Sequence, residues 1–535
     1  MKLNMNIKNR VVRLVKSVLP FYLFTLLPLT AQAQDDLGVR RGGCLSDLKE
    51  QADGTHRAAA QQRLAASQKQ WDANRTYKQL VLLVTFSDTE FSMEAPLEFY
   101  NKVFNEQGFN QRQGAGCVAD YFRTQSEGLF NLDFDVFGPY QVSSKAQPYA
   151  NPTDKTKNYG KDALIEATRK FLEANPDQDL KQYDWNNDGT IDQVVYIYAG
   201  FTGNQSSTTS YGHIWPSTGT FSTVTTTSGM KISKYSSSAE MWVNKALCGI
   251  GTICHEYSHS LGLPDIYPTN SNAWTYSVVD EWDLMDGGNF TNFGWCPPNY
   301  TALEKYLMGW MSYTELKEPV TVEGMKPVSE GGPAYVVKHT DNEYLLLENR
   351  QWTGWDAGLP AKGLVIYHVN YVSSKWSANT PNNTDNAPNF SLVDPDGRSF
   401  SDWTSYLETM GVKSQSATYR NPNRMNRYYF SESVYPHNTL DSLTDSSVPA
   451  AKMYNENAQQ SKFLSKPITN ISMADDGSIS FDFMGGGTST GIVSRNPAVM
   501  APAVCYDLKG QPVSGQHRGL LIVRQADGTV KKVFK

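Results

Sequence analysis

The sequence predicts an α+β fold: a mixed sheet with helices, then an antiparallel β-rich region, then a small C-terminal β tail. Three observations predict it. Residues 79–86 (QLVLLVTF) and 193–199 (QVVYIYA) are near-continuous apolar runs, the texture of strands buried on both faces. Lys161–Ala174 carries apolar residues at Leu164, Ile165, Thr168, Phe171 and Leu172, which is one face of a helix. Residues 250–261 read as a second, buried helix ended by Gly262 and Pro264. Beyond Lys317 short alternating strands and Gly/Pro/Asn turns dominate, and these predict antiparallel pairing.

The chain has 535 residues, too many for a single ordinary core. Charged residues are 19% and hydrophobic residues 40%, the balance of a globular protein and not of a disordered one. The net charge is −6 and no dense basic patch occurs, so nucleic acid is not expected as a partner. The 29 Tyr and 12 Trp suit β-structure with wet grooves.

The N-terminus begins with Lys2, Lys8, Arg10, Arg13 and Lys16. An apolar run at 18–29 and Ala31-Gln32-Ala33 follow, the plan of a secretory signal peptide over residues 1–33. The run is interrupted by Pro20 and Pro28 and is shorter than a bilayer span. No later segment reads as transmembrane. The expected organisation continues with a pro-segment or linker at 34–77, a first domain at 78–317 and a β-rich domain packed on it at 318–484. A Gly-rich linker at 485–499 and a β tail at 500–535 complete it. Export permits disulfides among the six cysteines (Cys44, Cys117, Cys248, Cys254, Cys296, Cys505), but the spacing selects no pairing.

The chemistry concentrates at 255–265, HEYSHSLGLPD. His255 and His259 are four residues apart, so one helix face offers both imidazoles to one ion. Neutral imidazoles suit Zn²⁺, which in catalytic sites takes three protein ligands and keeps one position open. Gly262 tolerates the positive φ of a sharp turn, and that turn can return Asp265 as the third ligand. Glu256, next to the first histidine, is placed to take a proton from water. Glu281, 22 residues beyond His259, is the rival third ligand, although its surroundings (VVDEWDLMDGGN) end in a turn. No G-x-S-x-G motif competes. These residues point to a zinc-dependent endopeptidase acting on extracellular protein or peptide substrates.

HEYSHSLGLPD, followed by WDLMDGGNF at 282–290, resembles the immune inhibitor A family of secreted bacterial metalloproteases, relatives of the metzincins. The likeness extends to LVTFSD at 83–88, VADYFRTQSEGLFNLDFDVFGPY at 118–140, DWNNDGTIDQVVYIYAG at 184–200 and HIWP at 213–216. It continues through ALEKYLMGW at 302–310, YLLLENRQWTGWDAGLPAKGLVIYHV at 344–369 and the stretch 468–483. The resemblance implies a zincin-like catalytic domain over 78–317, with a mixed sheet and an active-site helix. It also makes Met285 the methionine of a turn beneath the metal, a reading that coincides with an ordinary buried apolar floor. The chain departs from the family at Ser260, at Asp286, where a small residue is usual, and at position 287, which lacks the tyrosine some metzincins carry.

Four features stand outside this site. Asp184, Asn186, Asp188, Thr190 and Asp192, with Gly189 between, space oxygens as the first part of a calcium loop, but Val195 stands where its bidentate Glu would be. A structural Ca²⁺ is expected there, against the alternative of an Asn/Asp-rich turn. Cys44 is either a thiolate that blocks the zinc in a zymogen, a disulfide partner or an idle thiol. His368 reads as a packed strand residue. The C-terminal tail resembles those of exported proteins from Bacteroidetes-type bacteria and is read as an export or attachment signal or a closing hairpin. The contrasting function class is a carbohydrate- or matrix-binding surface protein with a vestigial zinc fold. An intact Glu256 argues against it, because a binding relic has no use for the base.

Overall fold

A computed structural model of the chain describes residues 71–147, 160–203, 213–269, 278–384, 387–397 and 430–487, together with the backbone of four strands between 504 and 534. The signal-peptide reading of 1–33, Cys44 and nearly all of 34–77 lie outside the described residues.

The first sheet is built around β1 (Thr76–Thr85), in the order β2-β1-β3-β5-β4. β2 (Asn131–Gln141), β3 (Val194–Phe201) and β5 (Lys231–Met241) run parallel to their neighbours, and only β4 (Ser217–Thr225) is antiparallel. The apolar run of β1 serves two cores through the period-two alternation of a strand. Val81 and Leu83 enter one cluster, while Leu80, Leu82 and Val84 enter the other. The second face is covered by α3 (Lys161–Ala174) through Ala163, Leu164, Ala167 and Phe171. The first face is covered by α1 (Pro96–Asn105), α2 (Val118–Gln125) and α4 (Gly251–Leu261).

Every residue of α4 is buried, so it is a core helix rather than an amphipathic surface one. It can lie this deep because its start is cut close to the chain beside it. A Cβ on Gly251 would stand 2.1 Å from the carbonyl oxygen of Asn289. The helix is also tied to the sheet by polar groups. The Tyr257 hydroxyl donates to Gln79 Oε1 at 3.0 Å, and Gln79 Nε2 donates to the carbonyls of Leu80 and Gln193. A buried glutamine in the central strand is thereby satisfied, as burial of an amide requires.

After α5 (Ala302–Leu307) comes a second five-stranded sheet, ordered β11-β10-β9-β8-β6. Its members are β6 (Thr314–Glu315), β8 (Tyr335–Lys338), β9 (Glu343–Arg350), β10 (Gly363–Asn370) and β11 (Phe390–Leu392). The expected all-antiparallel pairing is corrected at one edge. β6 and β8 run parallel, because the chain passes through another strand, β7 (Val320–Met325), before it returns. β7 joins β12 (Ile468–Met473) and β13 (Ile479–Phe483) in a three-stranded antiparallel sheet. The backbone of β14 to β17, between 504 and 534, forms a four-stranded antiparallel sheet.

The second sheet is not a separate layer added to the first. Tyr344, Leu346, Val365, Tyr367 and Val369 share one apolar cluster with Cys254, Tyr257, Leu284 and Met285, so a continuous core crosses residue 317. The opposite face of β9 and β10 (Leu345, Leu347, Leu364, Ile366) packs on β7, β12 and β13.

A buried polar joint accompanies this contact. Arg350 is fully buried and pairs with Asp356 through two bonds of 2.8 Å and with Glu348 at 3.3 Å. It also donates to the carbonyls of Trp282 and Asn299. Arg350→Met is expected to remove about 3–5 kcal/mol of stability, since breaking a buried pair leaves carboxylates uncompensated. Urea unfolding with an unchanged midpoint would contradict this role.

Candidate metal centre

α4 presents His255 and His259 on one face, both 4% exposed. The helix ends at Gly262, whose φ is +111°. The amide of Leu263 donates to Ser258 O and that of Gly262 to His259 O, the paired bonds of a Schellman turn. The same turn does a second job, because His259 Nδ1 lies 2.8 Å from Leu263 O. His255 Nδ1 lies 2.9 Å from Leu284 O. A carbonyl can only accept, so both Nδ1 atoms carry the proton, and the Nε2 lone pairs face inward.

Two residues past the turn Asp265 is fully buried. Its Oδ1 stands 3.2 Å from His255 Nε2 and 3.1 Å from His259 Nε2. Three electron-pair donors thus converge on one point. Ligands about 2.0–2.1 Å from a tetrahedral ion are about 3.3 Å apart, so the spacing fits a zinc-sized cation. His259 Nε2 and Asp265 Oδ1 have no hydrogen-bond partner, as expected of atoms reserved for an ion.

Glu256 is 4% exposed and points to the edge strand β4, where Thr218 Oγ1 lies 3.1 Å from Glu256 Oε2. The same hydroxyl contacts the main-chain oxygen of Glu256. Met285 is fully buried in the cluster that holds Cys254 and Leu284. Its carbonyl accepts from the Ile266 amide at 2.8 Å, which ties the methionine turn to the strand of chain carrying Asp265. Tyr267 lies with its ring parallel to that of His255, the centroids 6.4 Å apart.

The methionine turn is itself held by buried acids. Asp286 Oδ2 accepts from the amides of Val278, Val279 and Asp280 at 3.1, 2.9 and 2.8 Å, so the aspartate that departs from the family pattern closes the loop. Asp283 Oδ1 accepts from the Met285 amide at 2.6 Å. Burial, and then the charge of Glu304, push the Asp283 carboxyl well above the carboxylate range, and burial lifts Glu304 to about 7.

Glu281 is buried in the short 3-10 turn Asp280–Trp282. Among the described residues the one cluster suited to a metal is His255, His259 and Asp265, without Glu281. The calcium expectation finds no such support. Asp184 accepts from the amides of Asp188 and Gly189, Asn186 from Asp188, Asp188 from Thr190, and Asp192 from Trp185. These are the local side-chain to backbone bonds of an Asx-rich turn. His368 stays away from the metal cluster and pairs with Glu343 at 2.8 Å. Cys117, Cys248, Cys254 and Cys296 are free thiols.

Thr218 and Asn379, which bonds to Asp265 at 2.8 Å, were not marked by the sequence. Their contacts span 38 and 114 residues, and no local motif announces such a pairing.

Residues 65–308 match the family model described as immune inhibitor A peptidase M6, catalytic domain. The chain is 26% identical over 308 residues to immune inhibitor A of Bacillus thuringiensis subsp. alesti, covering 47% of this chain and 43% of that protein. It is 22% identical over 244 residues to the pre-pro-metalloprotease PrtV of Vibrio cholerae serotype O1, covering 41% of this chain and 26% of that one. The chain therefore aligns with less than half the length of either relative. A Bacteroidetes-type origin draws no support from them. Over residues 65–308 the chain is similar to the catalytic domain of the immune inhibitor A peptidase M6 family.

Proposed function

We propose that this chain is a secreted zinc-dependent endopeptidase that hydrolyses peptide bonds of extracellular proteins. The convergence of His255 Nε2, His259 Nε2 and Asp265 Oδ1 carries the reading. Three buried acceptors at this spacing repel one another unless a cation lies among them. The matched peptidase domain and the two metalloprotease-like relatives point the same way. Secretion rests on the charged start, apolar run and Ala31-Gln32-Ala33 of the sequence. Calcium has no part in the reading, because the metal-suited cluster found among the described residues does not include 184–192.

Zinc, when bound, supplies Lewis acidity, which polarises a scissile carbonyl and lowers the pKa of water. The residues do the rest. His255 and His259 are kept in one tautomer by Leu284 O and Leu263 O. Asp265 adds a negative charge to the ligand set. Glu256 Oε2 takes the proton from water and returns it to the leaving amine, and Thr218 orients that carboxylate from the edge strand.

Three outcomes follow. Treatment with 1,10-phenanthroline should abolish cleavage of casein by the matured protein, and zinc should restore it; full activity without metal would sink the proposal. Asp265→Ala should lower zinc affinity sharply while Glu281→Ala leaves it nearly intact, as read by chelator competition, and the reverse ranking would move the third ligand. Glu256→Gln keeps the shape and removes the base, so zinc content should persist while turnover falls roughly 10²–10⁴-fold. Near-normal proteolysis by that variant would refute the assigned role. Absence of cleavage by the matured wild type would favour the binding-protein alternative.

A further inference from the structure

The geometry points to Asn379, a residue outside the family-matched span, as the positioning residue for Asp265; the inference rests on the metal-site reading above. Asp265 is fully buried and has two carboxylate oxygens with different tasks. Oδ1 faces the two imidazoles. Oδ2 accepts from Asn379 Nδ2 at 2.8 Å, and the Asp265 main-chain amide donates to Asn379 Oδ1 at 2.5 Å. The partners fix the orientation of the Asn379 amide. A backbone N–H must meet its oxygen, and a carboxylate that only accepts must meet its nitrogen. One planar group therefore grips both the main chain and the side chain of the third ligand. It decides which oxygen turns inward.

The clasp is part of a longer seam. Thr269 Oγ1 donates to Asn379 O at 2.8 Å, and the Thr269 amide donates to Asn383 Oδ1 at 2.7 Å. Asn382 Nδ2 donates to Ile266 O at 2.8 Å and to Phe390 O at 2.9 Å, while Asn382 Oδ1 accepts from the amides of Asn389 and Phe390. Residues 379–383 thus run beside residues 265–269 and anchor them to β11. The chemistry of the gripping group matters. A lysine or arginine at this place would compete with the cation for the carboxylate, whereas a neutral amide orients the oxygen and leaves its charge to the metal. Partners of this kind tune metal affinity in other sites.

Asn379 follows the short helix Ser373–Ser377 and has φ +57°, a conformation that asparagine tolerates better than most residues. Its presence could therefore serve the backbone alone, and the test must separate the two roles. Asn379→Gly keeps the left-handed conformation and removes the amide. Asn379→Asp keeps shape and conformation but sets a carboxylate against Asp265. Zinc affinity of the full chain is measured by competition with a chromophoric chelator, beside the melting temperature of metal-free protein and the visible spectrum of the Co²⁺-loaded form. Both variants should bind zinc roughly 10–100-fold more weakly and should alter the Co²⁺ spectrum, with the metal-free melting temperature of Asn379→Gly unchanged. If Asn379→Gly melts lower, Asn379→Asp decides by the same readings. Unchanged affinity and spectrum in both variants overturn the proposal. So does an equal loss in Asn438→Gly, a control at an exposed asparagine with φ +52°. Failure of the underlying reading has a separate signature: His259→Ala would then bind zinc as the wild type does, and that result overturns both.

Discussion

Holding Asp265 Oδ1 at 3.2 Å from His255 Nε2 and 3.1 Å from His259 Nε2 in a buried interior is unfavourable without a cation. Much of the surrounding architecture is what holds them there. The helix fixes the spacing of the imidazoles. The Schellman turn reverses the chain and lends Leu263 O to one ring. The methionine turn lends Leu284 O to the other and, through Met285 O, grips the chain at Ile266. Each device would be an odd expense for a helix that served packing alone.

The supporting layers repeat this logic at greater distance. The methionine turn is ordered by Asp286 and Asp283, and Arg350 reaches its Trp282 carbonyl from β9. Arg350 in turn depends on Asp356 and Glu348. Buried polar contacts therefore tie the second sheet to the turn whose Leu284 carbonyl orients His255. Polar groups in such a network are satisfied together or become costly together.

The sequence disclosed the parts of the site that local geometry dictates. His255, Glu256 and His259 share a helix, and Gly262 marks its end, so their relation follows from helical spacing and one turn. The strand cores of β1 and β3 were legible because residues buried on both faces leave no alternation to misread. What stayed hidden depends on long-range partners. Nothing near Thr218 or Asn379 announces Glu256 or Asp265. The parallel pairing of β6 with β8 depends on where the chain goes between them. The 184–192 stretch could not be decided from spacing, because aspartate and asparagine at alternate positions before a glycine suit a calcium loop and a self-bonded turn equally.

The apolar cluster that crosses residue 317 has a consequence for how the chain can be divided. The match to the catalytic-domain model stops at residue 308, yet Leu346, Val365 and Tyr367 pack in the same cluster as Cys254 and Met285. A fragment ending with the likeness would expose that face to water, at about 25 cal/mol for every Å² uncovered. It would also lose the far-side contacts that brace the methionine turn. The end of that match therefore falls inside a shared apolar core, and residues on both sides of it cover one another from water.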